Sequence, residues 1–167
     1  MRTIKRHSGR GGFKRPDPHI TMEKYNKLKE ELKELKEIER PPAIREVKRL
    51  AEMGDFSENA AYQIAKGRLR SINNRITKIK DFLSHAEIIS AGKDNDKISL
   101  GSRVTLEING EKRTYKILGS AETDPGKGII SHNSPLGKNL IGRAKGETVK
   151  VKVKDRFIEY KIIEISS

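Results

Sequence analysis

The chain contains no cysteine among its 167 residues, which excludes disulfides, iron–sulfur clusters and thiolate zinc sites and agrees with a reducing, cytoplasmic location. It also lacks an apolar run long enough to span a bilayer, so no membrane partner is expected. The basic N-terminus is not followed by the apolar stretch of a signal peptide. No glycine-rich phosphate loop, serine nucleophile elbow or metal-binding histidine pair is found. The four histidines, His7, His19, His85 and His132, are scattered without ligand spacing and read as surface or packing residues. Charge is abundant instead. Charged residues make up 35% of the chain and hydrophobic ones 34%, with a net charge of +13. That balance favours an elongated shape with much surface, drawn to a polyanion, of which nucleic acid is the usual one.

Residues 1–18 carry Arg2, Lys5, Arg6, Arg10, Lys14 and Arg15 against a single acid, Asp17, with frequent glycine and with Pro16 and Pro18 near the end. Such a segment buries little and is expected to be a disordered basic tail. It reads either as a solubilising tail or as an arm that touches nucleic acid.

Residues 19–89 read as a helical hairpin. Thr21 suits an N-cap, with Glu23 in the first turn where the helix dipole favours an acid. Tyr25, Leu28, Leu32 and Leu35 then recur at coiled-coil spacing. Pro41-Pro42 predicts a kink or a break. Beyond it Ile44, Val47 and Ala51 form a stripe, and Gly54 ends the segment. A second helix is expected from about Ser57 to Ala86, with a seam of Ala65, Leu69, Ile72, Ile76, Ile79, Leu83 and Ala86. A short link makes the two helices antiparallel neighbours.

Residues 90–97 are polar and read as a linker, after which the hydrophobic period changes to two. Val104, Leu106 and Ile108 alternate with polar residues, Asn109-Gly110 signals a tight hairpin, and Tyr115 and Ile117 lie on the returning strand. A short strand within Gly126–Ser131 follows, and Ser134-Pro135 reads as cap and first residue of a brief helix ending by Gly142. Val149, Val151 and Val153 form another strand, and Phe157 to Ile165 the last, where Ile162-Ile163 breaks the alternation and predicts a bulge. Residues 98–167 are therefore a small antiparallel sheet with one helix, and the whole chain is α+β.

Gly54-Asp55-Phe56-Ser57-Glu58-Asn59 joins the two helices, at the far end of the expected rod. Two readings of its acids stand side by side. Asp55 and Glu58 have capping-box spacing, with Ser57 as an alternative cap. Carboxylates three apart near a helix start also share a face and could share a magnesium ion, which prefers oxygen ligands and keeps waters. Two carboxylates alone make a loose site, useful once a partner adds ligands and a substrate phosphate. The basic residues Lys66, Arg68, Arg70 and Arg75 follow, either as a solvated face or as a patch tracking RNA phosphates.

The stretch Gly54–Tyr62, following Arg40-Pro41 and a heptad helix, resembles the tip of the bacterial transcript cleavage factors GreA and GreB. Asn133-Ser134-Pro135-Leu136-Gly137-Lys138-Asn139-Leu140-Ile141-Gly142 resembles the other signature of that family. The likeness covers residues 20–167. It implies an N-terminal antiparallel coiled coil and a C-terminal domain of FKBP-like fold that docks on bacterial RNA polymerase, here through Asn133, Ser134 and Pro135. It further implies that the coiled coil enters the secondary channel and that Asp55 and Glu58 help hold a second Mg2+ and orient a water that cuts backtracked RNA. The chain would then be no free-standing enzyme, and would bind no magnesium stably on its own. Lys66-Gly67-Arg68-Leu69-Arg70 is more similar to GreB, in which a larger basic patch accompanies longer backtracked RNA, while Ala61 stands where family tips often carry an acid. Rival readings are a Gre-like channel inhibitor without cleavage activity, disfavoured by retention of both acids, and a nucleic-acid-binding coiled-coil module. A prolyl isomerase is disfavoured by the few aromatics, Tyr115, Phe157 and Tyr160, available to line a pocket.

Overall fold

The computed structural model describes residues 16–53, 60–90, 96–153 and 155–166. After a two-residue strand β1 (His19–Ile20), helix α1 (Met22–Glu34) starts at Thr21, whose Oγ1 accepts a hydrogen bond from the Lys24 amide at 3.2 Å. The helical backbone then passes through a π-helical turn (Leu35–Glu39) into α2 (Arg40–Glu52). Helix α3 (Ala60–Ser84) returns, and a second short strand β2 (Glu87–Ile88) pairs parallel with β1. At 1.5 Å per residue α3 alone is about 37 Å long. The cross-helix contacts run in opposite senses along the two arms: Arg75 bonds Glu31, Arg40 bonds Asn73, and Pro42 and Ala43 sit near Ala65 and Arg68. The arms are therefore antiparallel and packed together.

Of the kink or break expected at the proline pair, no break is seen; the helical backbone is distorted into a π-helical turn and continues. Pro41 and Pro42 fall in the first turn of α2, and the π-helical turn just before them, closing with Arg40 N–H bonding back to Leu35 O, shifts the backbone register where the prolines supply no N–H. A π turn spends one extra residue. The buried positions record this: Leu28 and Leu35 are seven apart, Leu35 and Ala43 eight, Ala43 and Leu50 seven again. The stripe beyond the prolines is thus Ala43, Val47 and Leu50, and Ile44, expected inside, is 42% exposed. On α3 the expected seam holds, with Ile72, Ile76 and Ile79 buried and Leu69 and Leu83 packed against them.

The second half is a five-stranded sheet of order β5-β4-β3-β7-β6: β3 (Arg103–Ile108), β4 (Glu111–Leu118), β5 (Ile129–Ser131), β6 (Thr148–Val153) and β7 (Arg156–Ser166). Asn109 and Gly110 both take positive φ, 51° and 84°, as the tight β3–β4 turn requires. Between β3 and β7 the register jumps from Thr105↔Glu164 to Leu106↔Ile162, which leaves Ile163 as the expected bulge. One strand departs from the antiparallel expectation. β5 runs parallel to β4, because the ten-residue connection carries two 3-10 turns and brings the chain back in its original direction. Helix α4 (Pro135–Leu140), capped by Ser134 Oγ on the Gly137 amide at 3.0 Å, covers a core of Val104, Leu106, Ile117, Leu140, Val151 and Ile162. Ile98, just past the expected linker, is buried in the same core, and residues 91–95 of that linker lie outside the described residues.

Candidate functional site

The acids at the rod's end, Asp55 and Glu58, lie among residues 54–59 and so outside the described residues. The described chain on either side carries exposed apolar side chains, Met53 at 68% and Ile64 at 73% exposure. Lys66, Arg68 and Arg70 are all exposed on α3, within three turns of its N-terminal end, and Lys66 Nζ sits 5.7 Å over the Tyr62 ring. Arg75 is engaged differently. Its Nε and Nη2 donate to the two carboxylate oxygens of Glu31 at 2.6 and 2.8 Å, across the hairpin. The hydrogen bond from Arg75 holds the Glu31 carboxyl below its usual range. Arg75 therefore serves the pairing of the arms and stands apart from the other three cations.

In the other expected signature, Ser134 caps α4, Pro135 is its exposed first residue, and the Asn133 amide donates to Ser131 Oγ at 3.0 Å. Gly137 lets α4 press on the strand before it, since a Cβ there would overlap the Ser131 carbonyl oxygen.

The base of the rod is fastened to the sheet half by groups that no sequence spacing reveals. Glu122 accepts from the Thr21 amide at 2.7 Å and from the Thr21 hydroxyl at 2.6 Å. Asp17, which composition places in the tail, has a side chain only 7% exposed. Its Oδ2 accepts from the Ser120 amide at 2.7 Å and the Ser120 hydroxyl at 2.9 Å, and its Oδ1 lies 2.8 Å from His19 Nδ1. Burial opposes the charged form of Asp17, yet the hydrogen bonds from Ser120 and His19 outweigh it and bring its pKa from 3.8 down to about 2. His132, more than 110 residues away, comes within 3.4 Å of the same carboxylate. A cleft of about 800 Å³ opens here, lined by Asp17, His19, Asp81, His85, Glu87 and His132 among others. Three of the four histidines read as scattered thus share one cleft, because β1 and the loop after β5 converge at the base of the hairpin. Among the described residues no helix is long and apolar enough to cross a membrane.

A two-part α+β protein, with an antiparallel helical hairpin latched at its base to a five-stranded sheet, is the class these observations define. Both parts match known families: residues 19–88 match the model described as "Transcription elongation factor, N-terminal", and residues 93–167 match "Transcription elongation factor, GreA/GreB, C-term". The chain belongs to the GreA/GreB family of transcription elongation factors. Among its relatives, the transcription elongation factor GreA of a Nitratiruptor species is 40% identical over 149 residues, spanning 87% of this chain and 91% of the relative. That of Helicobacter acinonychis (strain Sheeba) is 38% identical over the same spans. Among solved structures, the GreA factor homolog Gfh1 of Thermus thermophilus is 27% identical, with a TM-score of 0.41 over 89% of this chain and 98% of that one.

Proposed function

We propose that this chain is a transcription elongation factor that inserts its helical hairpin into the secondary channel of RNA polymerase and stimulates the polymerase's own cleavage of backtracked RNA. The observation that carries this reading is family membership across both halves in the family's order, joined to a packed hairpin whose two arms are linked through residues 54–59. Helices of about 37 Å or more supply the reach that such a role demands.

Asp55 and Glu58 would hold a Mg2+ shared with the polymerase, and a pair of hard carboxylate oxygens fits that ion. When bound, the ion supplies positive charge that activates a water and offsets the charge developing on the RNA phosphate. The chain's own residues supply the carboxylates and carry them to a centre that the polymerase completes. Two carboxylates with nothing else around them hold such an ion weakly in water, so their metal affinity depends on the dry, already charged centre they enter. Activity therefore belongs to the complex, with the polymerase as partner.

The test is a stalled, backtracked elongation complex incubated with wild type, Asp55→Asn and Glu58→Gln. Asparagine remains a good N-cap, so Asp55→Asn retains a capping group while weakening the metal ligand. The expected outcome is a cleavage rate lowered by about 100-fold or more, with polymerase affinity and helix content intact, a loss typical of removing one preorganised charged group. Undiminished cleavage by both variants would overturn the role given to the acids.

A finer reading concerns substrate length. Lys66 and Arg70, four residues apart, share one exposed face of α3 next to the hairpin end, and Arg68 is exposed on another side of the helix; such cations suit extruded RNA and GreB-like handling of longer transcripts, although the relatives named above are GreA proteins. Arg75, paired with Glu31, is not counted among these cations.

A further inference from the structure

The Asp17–His19–His132 cluster has no part in the reading above, and its chemistry points elsewhere. One oxygen of Asp17 and one nitrogen from each histidine lie within 4.8 Å of one another. His132 Nδ1 stands 3.4 Å from Asp17 Oδ2, and His19 Nδ1 stands 2.8 Å from Asp17 Oδ1. Ligands held at about 2.0–2.2 Å in a tetrahedral zinc site are themselves roughly 3.4 Å apart; the His132–Asp17 Oδ2 separation matches this, while His19, now on the other carboxylate oxygen, must open from 2.8 Å for all three groups to share an ion.

The surroundings match a metal centre in a second respect. A ligating histidine usually directs its other ring nitrogen to a carboxylate, and ligating carboxylates are themselves hydrogen-bonded. His19 Nε2 is 3.2 Å from Glu87 Oε2. Asp17 is fixed by the amide and hydroxyl of Ser120. The His19 and His132 rings meet edge to face with centroids 5.3 Å apart. The adjoining cleft leaves an entry path and room for water ligands.

We propose that Asp17, His19 and His132 form a binding site for a divalent transition-metal ion, of the zinc class, that fastens the base of the helical hairpin to the sheet half. Two imidazoles and one carboxylate favour zinc, cobalt or nickel over magnesium, which selects all-oxygen sites. The ion takes the place of the proton shared between His19 Nδ1 and Asp17, and that proton passes to solvent. Asp17 and His19 precede α1 while His132 follows β5, so one ion joins both halves of the chain. The site is independent of the cleavage role and of its magnesium.

The test is a titration of the full chain with Co2+ in excess Mg2+, followed by its visible d–d absorption and then by displacement with Zn2+. The expected result is saturation at one ion per chain and a rise in Tm with Zn2+. Affinity should fall by about tenfold or more in His19→Ala and in His132→Ala, and stay unchanged in His7→Ala. The side-chain NMR signals of His19 and His132 in the wild type should be the ones most broadened by Co2+, a readout that needs no variant to fold. No saturable spectrum from folded wild type, broadening confined to His7 or His85, or affinity unchanged in folded His19→Ala and His132→Ala would each overturn the proposal.

Discussion

Gly119 is buried beneath β1, and a Cβ there would overlap the carbonyl oxygen of His19. This close approach lets Asp17 reach Ser120 and Thr21 reach Glu122, so one missing side chain permits the whole latch. Gly119→Ala should lower stability by about 1–3 kcal/mol through overpacking. It should also speed hydrogen exchange at the amides of Glu87 and Ile89, which bond the carbonyls of Pro18 and Ile20 at 2.8 Å. The β3–β4 amides should keep their protection, and an unchanged exchange pattern would count against this account of the latch. Asn109-Gly110 makes a useful contrast. Its turn is legible in the sequence because both positive-φ residues are adjacent, whereas the partner of Gly119 lies a hundred residues away.

At the scale of elements, the π-helical turn is the main departure from expectation. A heptad extended past Leu35 without correction puts the wrong side chains inside. Insertion of one residue moves the seam to Ala43 and Leu50. The difference is measurable by chemical denaturation. Leu50→Ala should cost about 2–5 kcal/mol, as for a buried leucine, and Ile44→Ala less than about 0.5 kcal/mol, as for a surface change. Equal losses would argue that the seam beyond the prolines runs through Ile44, Val47 and Ala51, as the sequence pattern suggests. Strand β7 shows the opposite case. There Ile162-Ile163 announces its bulge, because the consecutive apolar pair is visible against an alternating pattern and the partner strand simply absorbs it. The parallel pairing of β5 was not legible, since direction depends on how the connecting loop folds back.

Across the whole molecule, the net charge of +13 and the exposed cations near the hairpin's end act together on any polyanion. Each phosphate neutralised on a single strand contributes about 0.7 to the slope of log affinity against log salt. Replacement of Lys66, Arg68 and Arg70 by alanine should therefore reduce that slope by about 2 for single-stranded RNA, measured by fluorescence anisotropy. A slope unchanged by the triple variant would show that these three cations do not contact phosphates. The latch matters at this scale too, since Glu122 and Asp17 set how the base of the hairpin meets the sheet half.

What the sequence by itself determined is everything carried by near neighbours along the chain: the α3 seam, the Thr21 and Ser134 caps, the β3–β4 turn, the bulge, and the two motifs that assign the family. Periodicity and capping are interactions within a few residues, so they leave a pattern in the order of amino acids. Only the tertiary structure decided which residues close the base of the hairpin, that Arg75 belongs to the pairing of the arms, and that Asp17, His19 and His132 share a cleft. Those groups meet because β1, β2 and the loops after β4 and β5 converge in space, and convergence over a hundred residues leaves no spacing to read.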